Sequence, residues 1–438
     1  MVTGMLRFGT DGVRGRVGVE LDEKHVARLG AAVALAFRGR DIVVGNDGRE
    51  SGEAWSTAFG AGAVAHGAKV ALAGVVPTPA IAHAAKLRSC VGVSITASHN
   101  PWYDNGVKVF APGGRKLTDD EQQDIEDLWQ KAADVSPLAI GLPRDERCAG
   151  EYVESVTSGL GHVQLGGLSV IFDAANGATS RVVGPVAETL GLRAEVRHAS
   201  PNGRNINDGC GAVHPEGLAK LCAERMQIGI AFDGDGDRVI AVDELGNVID
   251  GDRLIALMAL DLRARGSLTR DTVVVTSMTN LGFHRAMQRH GVSVVTTDVG
   301  DRAVLSAMES GGYVLGGEQS GHIINFHHAT TGDGLLAAVL LLQIVRQSGK
   351  QLAELAAAVM QRMPQILRSV RVANKPADVE ALLGDDLVRE RAALGDDGRI
   401  VVRASGTEPV VRIMVEAPTT EIAVGTVDRL ERLIIARA

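Results

Sequence analysis

The sequence predicts an α/β fold of several domains: three similar α/β units with mixed, mostly parallel sheets, followed by a smaller C-terminal α+β unit. Three observations carry this expectation. At 438 residues the chain is too long for one ordinary core, and a prior of about 150 residues per domain suggests roughly three units. Short β-branched runs alternate with longer amphipathic ones, the pattern of strand–helix units on a mainly parallel sheet. After Met363-Pro364 the texture changes, and two short apolar runs bracket a polar loop.

Taken in order, Asp41 to Gly45 reads as a strand before the helical stretch Glu53 to Gly67, and Lys69 to Val76 as a strand before Pro79 to Leu87. The apolar strand Cys90 to Ile95 leads into Thr96-Ala97-Ser98-His99-Asn100-Pro101. Asn105-Gly106 then reads as a turn and Lys108 as a residue on the strand that follows. Thr118-Asp119-Asp120-Glu121 is a capping-box start for a polar helix to about Ala133. The Pro- and Gly-bearing loop Ser136 to Glu146 closes the first domain. A second unit runs from the strand Leu168 to Ala174 through the helix Ala178 to Leu190 to the strand Ile228 to Phe232. A third begins near Asp252 with strands Thr272 to Ser277, Ser293 to Thr297 and Tyr313 to Leu315. Ile400 to Val402 and Val410 to Val415 belong to the last unit, which an amphipathic helix closes. The expected domains are therefore 1–150, 151–250, 251–368 and 369–438.

Composition excludes several classes. Hydrophobic residues at 45% and charged residues at 22% are globular values. A net charge of -8 offers no general field for nucleic acid or an anionic membrane, so anionic small molecules must be held by local arginines and amides. Cys90, Cys148, Cys210 and Cys222 have neither disulfide-framework nor zinc spacing and read as thiols in a reducing compartment. The longest apolar run, Leu335 to Leu342, is far shorter than the roughly 20 residues of a membrane span, and the start of the chain carries no signal core. The expected location is cytoplasmic.

Four loops carry chemistry. Asp233, Asp235 and Asp237 alternate with glycines, so one tight loop can turn several carboxylates to a hard cation such as Mg²⁺ or Ca²⁺. An EF-hand is excluded: Arg238 stands where the sixth-position glycine belongs, and the flanks Ile228 to Phe232 and Val239 to Val242 read as strands. Uncompensated, the three carboxylates would repel one another. Ser98 is a weak nucleophile unless activated or covalently modified into a group donor, and the other loops favour the second. His99 beside it is a candidate general base, phosphate ligand or stiffener of the turn, and Lys108 can bring an ammonium close. Glu318, Ser320 and His322 alternate between glycines, a spacing suited to reading sugar hydroxyls. Arg403, Ser405, Gly406, Thr407 and Arg412 offer hydroxyls, amides and two guanidinium forks for a phosphate.

In the order and spacing of these loops, together with Phe8-Gly9-Thr10-Asp11-Gly12-Val13-Arg14-Gly15 and Thr331-Gly332-Asp333-Gly334, the chain resembles the α-D-phosphohexomutase superfamily over essentially its full length. Gln319 inclines the resemblance to the branch acting on glucosamine phosphates, with the phosphomannomutase/phosphoglucomutase branch as the alternative. The resemblance implies four domains around a central cleft and a phosphoserine at Ser98. It implies Mg²⁺ on Asp233, Asp235, Asp237 and the serine phosphate, acid/base residues Lys108 and Arg14, and sugar contacts by Glu318 and Ser320. It also implies phosphate binding by Arg403, Ser405, Gly406, Thr407 and Arg412. The expected reaction interconverts glucosamine 6- and 1-phosphates through a bound hexosamine 1,6-bisphosphate, for UDP-N-acetylglucosamine precursor synthesis. A phosphosugar is the expected partner, without nucleic acid or membrane, and a homodimer is the candidate assembly. Ala404, Ala303, Asn46 and Gly48 depart from the usual pattern without removing a catalytic group. A phosphatase and a catalytically silent phosphosugar sensor are the rival classes; the sugar loop speaks against the first and the intact Ser98, Lys108 and aspartates against the second.

Overall fold

The computed structural model describes residues 7–9, 12–133, 141–158, 165–405 and 409–438. Its strands form four sheets. The first contains β1 (Val13–Arg16), β2 (Ile42–Asn46), β3 (Val70–Val75), β4 (Val91–Ile95), β5 (Asp104–Ala111) and β6 (Arg115–Lys116), in the order β1-β5-β4-β2-β3 with β6 on β5. β4, β2 and β3 run parallel, and β2 and β4 are buried along their whole length, which is why they read as continuous apolar runs rather than alternating ones. The helices Glu23–Ala36 and Gly52–Ala65 pack in close contact: a Cβ on Gly62 would fall 1.8 Å from the Ala27 carbonyl oxygen.

The second sheet orders β11 (Val248–Ile249), β10 (Val239–Val242), β9 (Ile228–Phe232), β7 (Ser169–Asp173) and β8 (Arg193–Arg197). β7 is parallel to both β8 and β9, whereas β9 and β10 are an antiparallel pair joined by the aspartate loop. The third sheet orders β13 (Ser293–Thr297), β12 (Thr272–Thr276), β14 (Leu315–Gly317) and β15 (Ile323–Asn325), and the Glu318 loop joins the antiparallel β14 and β15. The fourth is antiparallel, β16 (Gln365–Arg371), β18 (Val410–Glu416) and β17 (Arg399–Ala404), with Leu430 and Ile434 of the helix Thr420–Arg437 in its core. The chain divides into two compact units, Met1–Ser277 with Val292–Ala357, and Met278–Gly291 with Ala358–Ala438.

The mixed α/β class predicted from the sequence holds, with three local corrections. Asn105-Gly106 is not a turn: both residues lie in β5, paired with Gly15 and Arg14, and the turn falls before them at Trp102-Tyr103. The helix expected over Ala178 to Leu190 is a 3₁₀ turn, Ala178–Arg181, and a separate helix, Val183–Thr189. Pro185 has no amide hydrogen to bond the Arg181 carbonyl, so one continuous helix cannot close there. The strand expected at Tyr313 to Leu315 runs instead from Leu315 through Gly316 and Gly317, directly into the Glu318 loop. The capping box at Thr118 forms as expected, starting the helix Asp119–Lys131. Among the described residues no helix is long and apolar enough to cross a membrane, and all four cysteines are buried and unpaired by disulfides.

Candidate active site

Ser98 sits just past the C-terminal end of β4, buried, with φ at +54° in the left-handed region. For a residue with a β-carbon that conformation costs free energy and persists only where the surroundings enforce it. Here they do. The Ser98 amide donates to Thr96 Oγ1 at 2.8 Å, and its carbonyl accepts from Arg49 Nη2 at 2.8 Å and Asn207 Nδ2 at 3.0 Å. The same guanidinium donates to the carbonyls of Asn100 at 2.9 Å, Asp104 at 3.0 Å and Pro101. Arg49 is paired with Asp47 at 2.8 Å, both side chains fully buried, and Asp47 also accepts from Thr96 Oγ1 at 2.6 Å. The donor loop is thus tied to one buried cation through its main chain. Sequence reasoning passed over Asp47, Arg49 and Asn207; the signal was a charged pair, Asp47 and Arg49, directly after the buried strand β2.

The hairpin of β9 and β10 brings the three aspartates under Ser98, whose hydroxyl donates to Asp233 Oδ2 at 2.6 Å. Lys108, on β5 opposite Ser94 of β4, places its ammonium 2.9 Å from Asp235 Oδ2 and 2.7 Å from Asp237 Oδ2. Thr78 Oγ1 donates to Asp235 at 2.7 Å. All three carboxylates are buried, and one oxygen from each lies within 4.8 Å of the others. Burial and the neighbouring carboxylates push Asp233 well above the usual range. Burial also opposes ionisation of Asp237, but Lys108 and His322 outweigh it and hold that carboxyl well below the usual range. Asp235 Oδ1 and Asp237 Oδ1 are buried without a hydrogen-bond partner among the described residues. Buried carboxylates gathered in one loop, two of them with an oxygen that no hydrogen bond uses, are what a hard divalent cation requires, so the donor set fits a metal centre.

His99 approaches Ser98 Oγ with Nδ1 at 3.4 Å. Burial, with Arg238 and Arg14 nearby, pushes its pKa down to about 4, so the ring is neutral near pH 7. Arg14 on β1 pairs in register with Gly106 of β5, the strand that carries the lysine. It lines a cavity of about 390 Å³ together with Arg7, Asp237, Arg238, Glu318 and His322. Three arginines in one lining suit a phosphate.

Glu318 enters this cavity because its loop is clamped to the neighbouring sheet. The Val239 amide of β10 donates to the Gly321 carbonyl at 3.1 Å, and a Cβ on Gly321, whose φ is +90°, would fall 2.0 Å from the Val239 oxygen. Glu318 Oε1 accepts the Gly300 amide at 3.1 Å. His322 is buried, with Nδ1 3.7 Å from Asp237 and Nε2 3.6 Å from Asp301. Burial lowers its pKa, but these two carboxylates more than offset that and raise it. Ser320 is exposed at the loop tip and is absent from the residues lining the cavity. The Gln319 amide donates to Asp252 at 3.2 Å, at the start of the helix Gly251–Ala264.

In the second compact unit Arg403 of β17 and Arg412 of β18 are direct cross-strand partners. Like charges facing each other across a ladder are destabilising. Burial and Arg412 together lower the Arg403 pKa. Both line a cavity of about 260 Å³ with Arg368 and Ser369. Ser405 is buried, its amide bonded to the Val410 carbonyl at 2.9 Å. Gly406 and Thr407 lie outside the described residues, as do Thr10 and Asp11.

The whole chain has known relatives. Its residues 5–135, 150–246 and 250–363 match the phosphoglucomutase/phosphomannomutase alpha/beta/alpha domains I, II and III, and residues 367–433 match the C-terminal domain of the same family. It is 45% identical to a phosphoglucosamine mutase of Frankia alni over 98% of both chains. It is 42% identical to one of Bacillus cytotoxicus, again over 98% of both. Among solved structures, a putative phosphomannomutase from Thermus thermophilus superposes with a TM-score of 0.82 at 24% identity, covering 98% of this chain and 99% of that one. An N-acetylphosphoglucosamine mutase from Aspergillus fumigatus, solved with GlcNAc-6P and magnesium, gives 0.71 at 18% identity, covering 100% and 96%. The serine above a buried aspartate loop therefore sits in a phosphohexomutase, and the chain belongs to the phosphoglucomutase/phosphomannomutase family.

Proposed function

We propose that the chain is a phosphoglucosamine mutase, interconverting glucosamine 6-phosphate and glucosamine 1-phosphate through a phosphorylated Ser98. The observation that carries this is the Ser98 hydroxyl 2.6 Å from Asp233, beside a lysine bound to the other two aspartates. The names and identities of the full-length relatives support glucosamine as the sugar.

In the first half-reaction the bond between phosphorus and Ser98 Oγ breaks as the sugar's 1-hydroxyl oxygen bonds to phosphorus. The product is the bound 1,6-bisphosphate. After the bisphosphate turns round, Ser98 Oγ attacks the 6-phosphoryl group and the 6-hydroxyl is released as leaving group. Lys108 and Arg14 are assigned to the hydroxyl proton and the charge that develops, and neutral His99 to hydrogen bonding the serine phosphate. Asp233, Asp235, Asp237 and the serine phosphate would hold Mg²⁺, which neutralises phosphoryl oxygens and favours in-line transfer. Glu318, Ser320 and His322 are the proposed sugar readers. Gln319 acts through the placement of their loop, since its amide is committed to Asp252. Arg403, Ser405, Gly406, Thr407 and Arg412 are proposed to bind the phosphate that is not transferring. The domains proposed to supply these parts are 1–150, 151–250, 251–368 and 369–438.

Two measurements test the reading. Peptide mapping of active protein should find phosphate on Ser98, and Ser98→Ala should lose mutase turnover; full activity in that variant sinks the donor assignment. Side-by-side kcat/KM on glucosamine, glucose and mannose phosphates should favour glucosamine, because that ratio measures discrimination directly. A higher value for a neutral sugar would assign the chain to the phosphomannomutase/phosphoglucomutase activity instead.

A further inference from the structure

A second group of metal-ligand type lies in the second sheet, outside the aspartate loop. Asp173 ends β7, His198 follows β8, and Cys210 lies in the long loop after it. One carboxylate oxygen, one ring nitrogen and the thiol sulfur of these residues all lie within 4.8 Å of one another. Asp173 Oδ2 and His198 Nδ1 are 2.9 Å apart. The three come from three separate segments at the same end of the parallel strands, so the fold, not sequence proximity, gathers them.

The surroundings are shaped for that gathering. Asp173 is fixed from the main chain, Oδ1 accepting the Ala175 amide at 2.9 Å and Oδ2 the Gly211 amide at 3.0 Å. Asn176 Nδ2 lies 3.8 Å from Cys210 Sγ. Ala175, Asn176 and His198 all hold positive φ, at 52°, 48° and 46°, three strained residues around one point. Asp173 and Cys210 are buried while the His198 side chain is 42% exposed, which leaves an approach from solvent.

We propose that Asp173, His198 and Cys210 form a binding site for a borderline divalent cation of the zinc class, separate from the aspartate loop. The donor set decides the class. One oxygen, one nitrogen and one sulfur make a three-residue site that keeps a fourth position for water, the arrangement zinc accepts and magnesium, which takes oxygen alone, does not. Binding displaces the thiol proton to solvent. A carboxylate, a thiolate and a neutral imidazole then balance a dication, so no net charge is left buried. The cation would tie positions 198 and 210 of one loop together, and between them lies Asn207, which donates to the carbonyls of Ser98 at 3.0 Å and Asn100 at 3.3 Å. The inference does not rest on the proposed activity, since the ligands and the readout are independent of turnover.

The test uses the full chain, stripped with chelator and kept in a large excess of Mg²⁺, titrated with Co²⁺ as a spectroscopic stand-in. Wild type should bind one equivalent with a thiolate-to-cobalt charge-transfer band, and Zn²⁺ should bleach it. Asp235→Asn should retain the band. Cys210→Ser should lose it, while Cys222→Ser keeps it. Because Cys210 is buried and its variant could fold poorly, His198→Gln, at an exposed position, is the second arm. It should weaken Co²⁺ binding by more than the roughly ten- to hundredfold that loss of an outer-sphere partner costs. Absence of the band in folded wild type, its loss in Asp235→Asn, or unchanged affinity in His198→Gln overturns the proposal.

Discussion

Arg49 is the residue on which the geometry of the donor loop depends, although it touches no reacting atom. Its guanidinium is buried with Asp47 and reaches the carbonyls of Ser98, Asn100, Pro101 and Asp104. Removing one member of a buried ion pair strands the other charge and typically costs about 3–5 kcal/mol. Arg49→Met should therefore lower stability by about that much. Arg49→Lys should fold better but still turn over slowly, since an ammonium cannot reproduce a planar fork reaching several acceptors. Thermal unfolding and kcat, measured on both variants, check the pair of expectations; wild-type kcat in Arg49→Lys would show the loop is held by other means. At this scale the sequence was legible where a residue type announces its chemistry. Alternating aspartates, a serine after a strand and a lysine on the next strand all meet within hydrogen-bond distance. Thr78 and Asn207 were not legible, and Asp47 and Arg49 showed only as a charged pair after a strand, because a buried arginine bonding carbonyls and a surface arginine look the same in a string of letters.

The helix Gly334–Ser348 is capped by Asp333, whose carboxylate accepts the Leu336 amide at 2.9 Å and the Tyr152 hydroxyl at 2.7 Å. Burial raises the Asp333 pKa from 3.8 to about 6, against the pull of those two donors. A carboxyl with a raised folded-state pKa contributes stability that is fully present below the unfolded value and is lost as pH rises through the folded one. The window is therefore from about pH 4 to about pH 6. Asp333→Asn keeps a side-chain acceptor for the cap and the tyrosine but cannot ionise. Relative to wild type it should gain on the order of 2–3 kcal/mol across that window, from about two pKa steps of 1.4 kcal/mol each. Urea unfolding of both proteins at the two ends of the window would show this, and a constant difference would contradict it. Strands and helices with strong periodicity were readable to within a residue or two. The short antiparallel strand β15 was not: Ile323–Asn325 is three residues long, and only its pairing with β14 distinguishes it from a loop.

For the whole molecule, the sequence order of elements and the compact units do not coincide. The second unit takes in Met278–Gly291 from far upstream of its remaining residues, Ala358–Ala438. Asn280 secures this insertion. It caps the helix Leu281–Arg289 through Gly282, donates to the Met363 carbonyl at 3.0 Å and accepts the Met363 amide at 2.9 Å. Next to it the Leu281 amide donates to the buried Glu416 at 3.1 Å. Asn280→Ala leaves both Met363 groups buried without these bonds, at about 1–3 kcal/mol each. Calorimetry should then resolve an early transition for the second unit ahead of the first, where wild type shows the two closer together. A single shifted peak would mean the inserted segment does not govern that unit's stability. No propensity or periodicity could have foreseen the insertion, because it rests on contacts between residues more than eighty positions apart in the chain.

The grip of Arg49 on the donor loop has one more implication. Its bonds end on main-chain oxygens, so they are blind to which side chains the loop carries at positions 98, 100, 101 and 104. The scaffold and the reagent it presents are thereby separable in evolution. Lineages can exchange the side chain at position 98 for another that tolerates left-handed backbone, and so retire or alter the group donor, without redesigning the cradle beneath it.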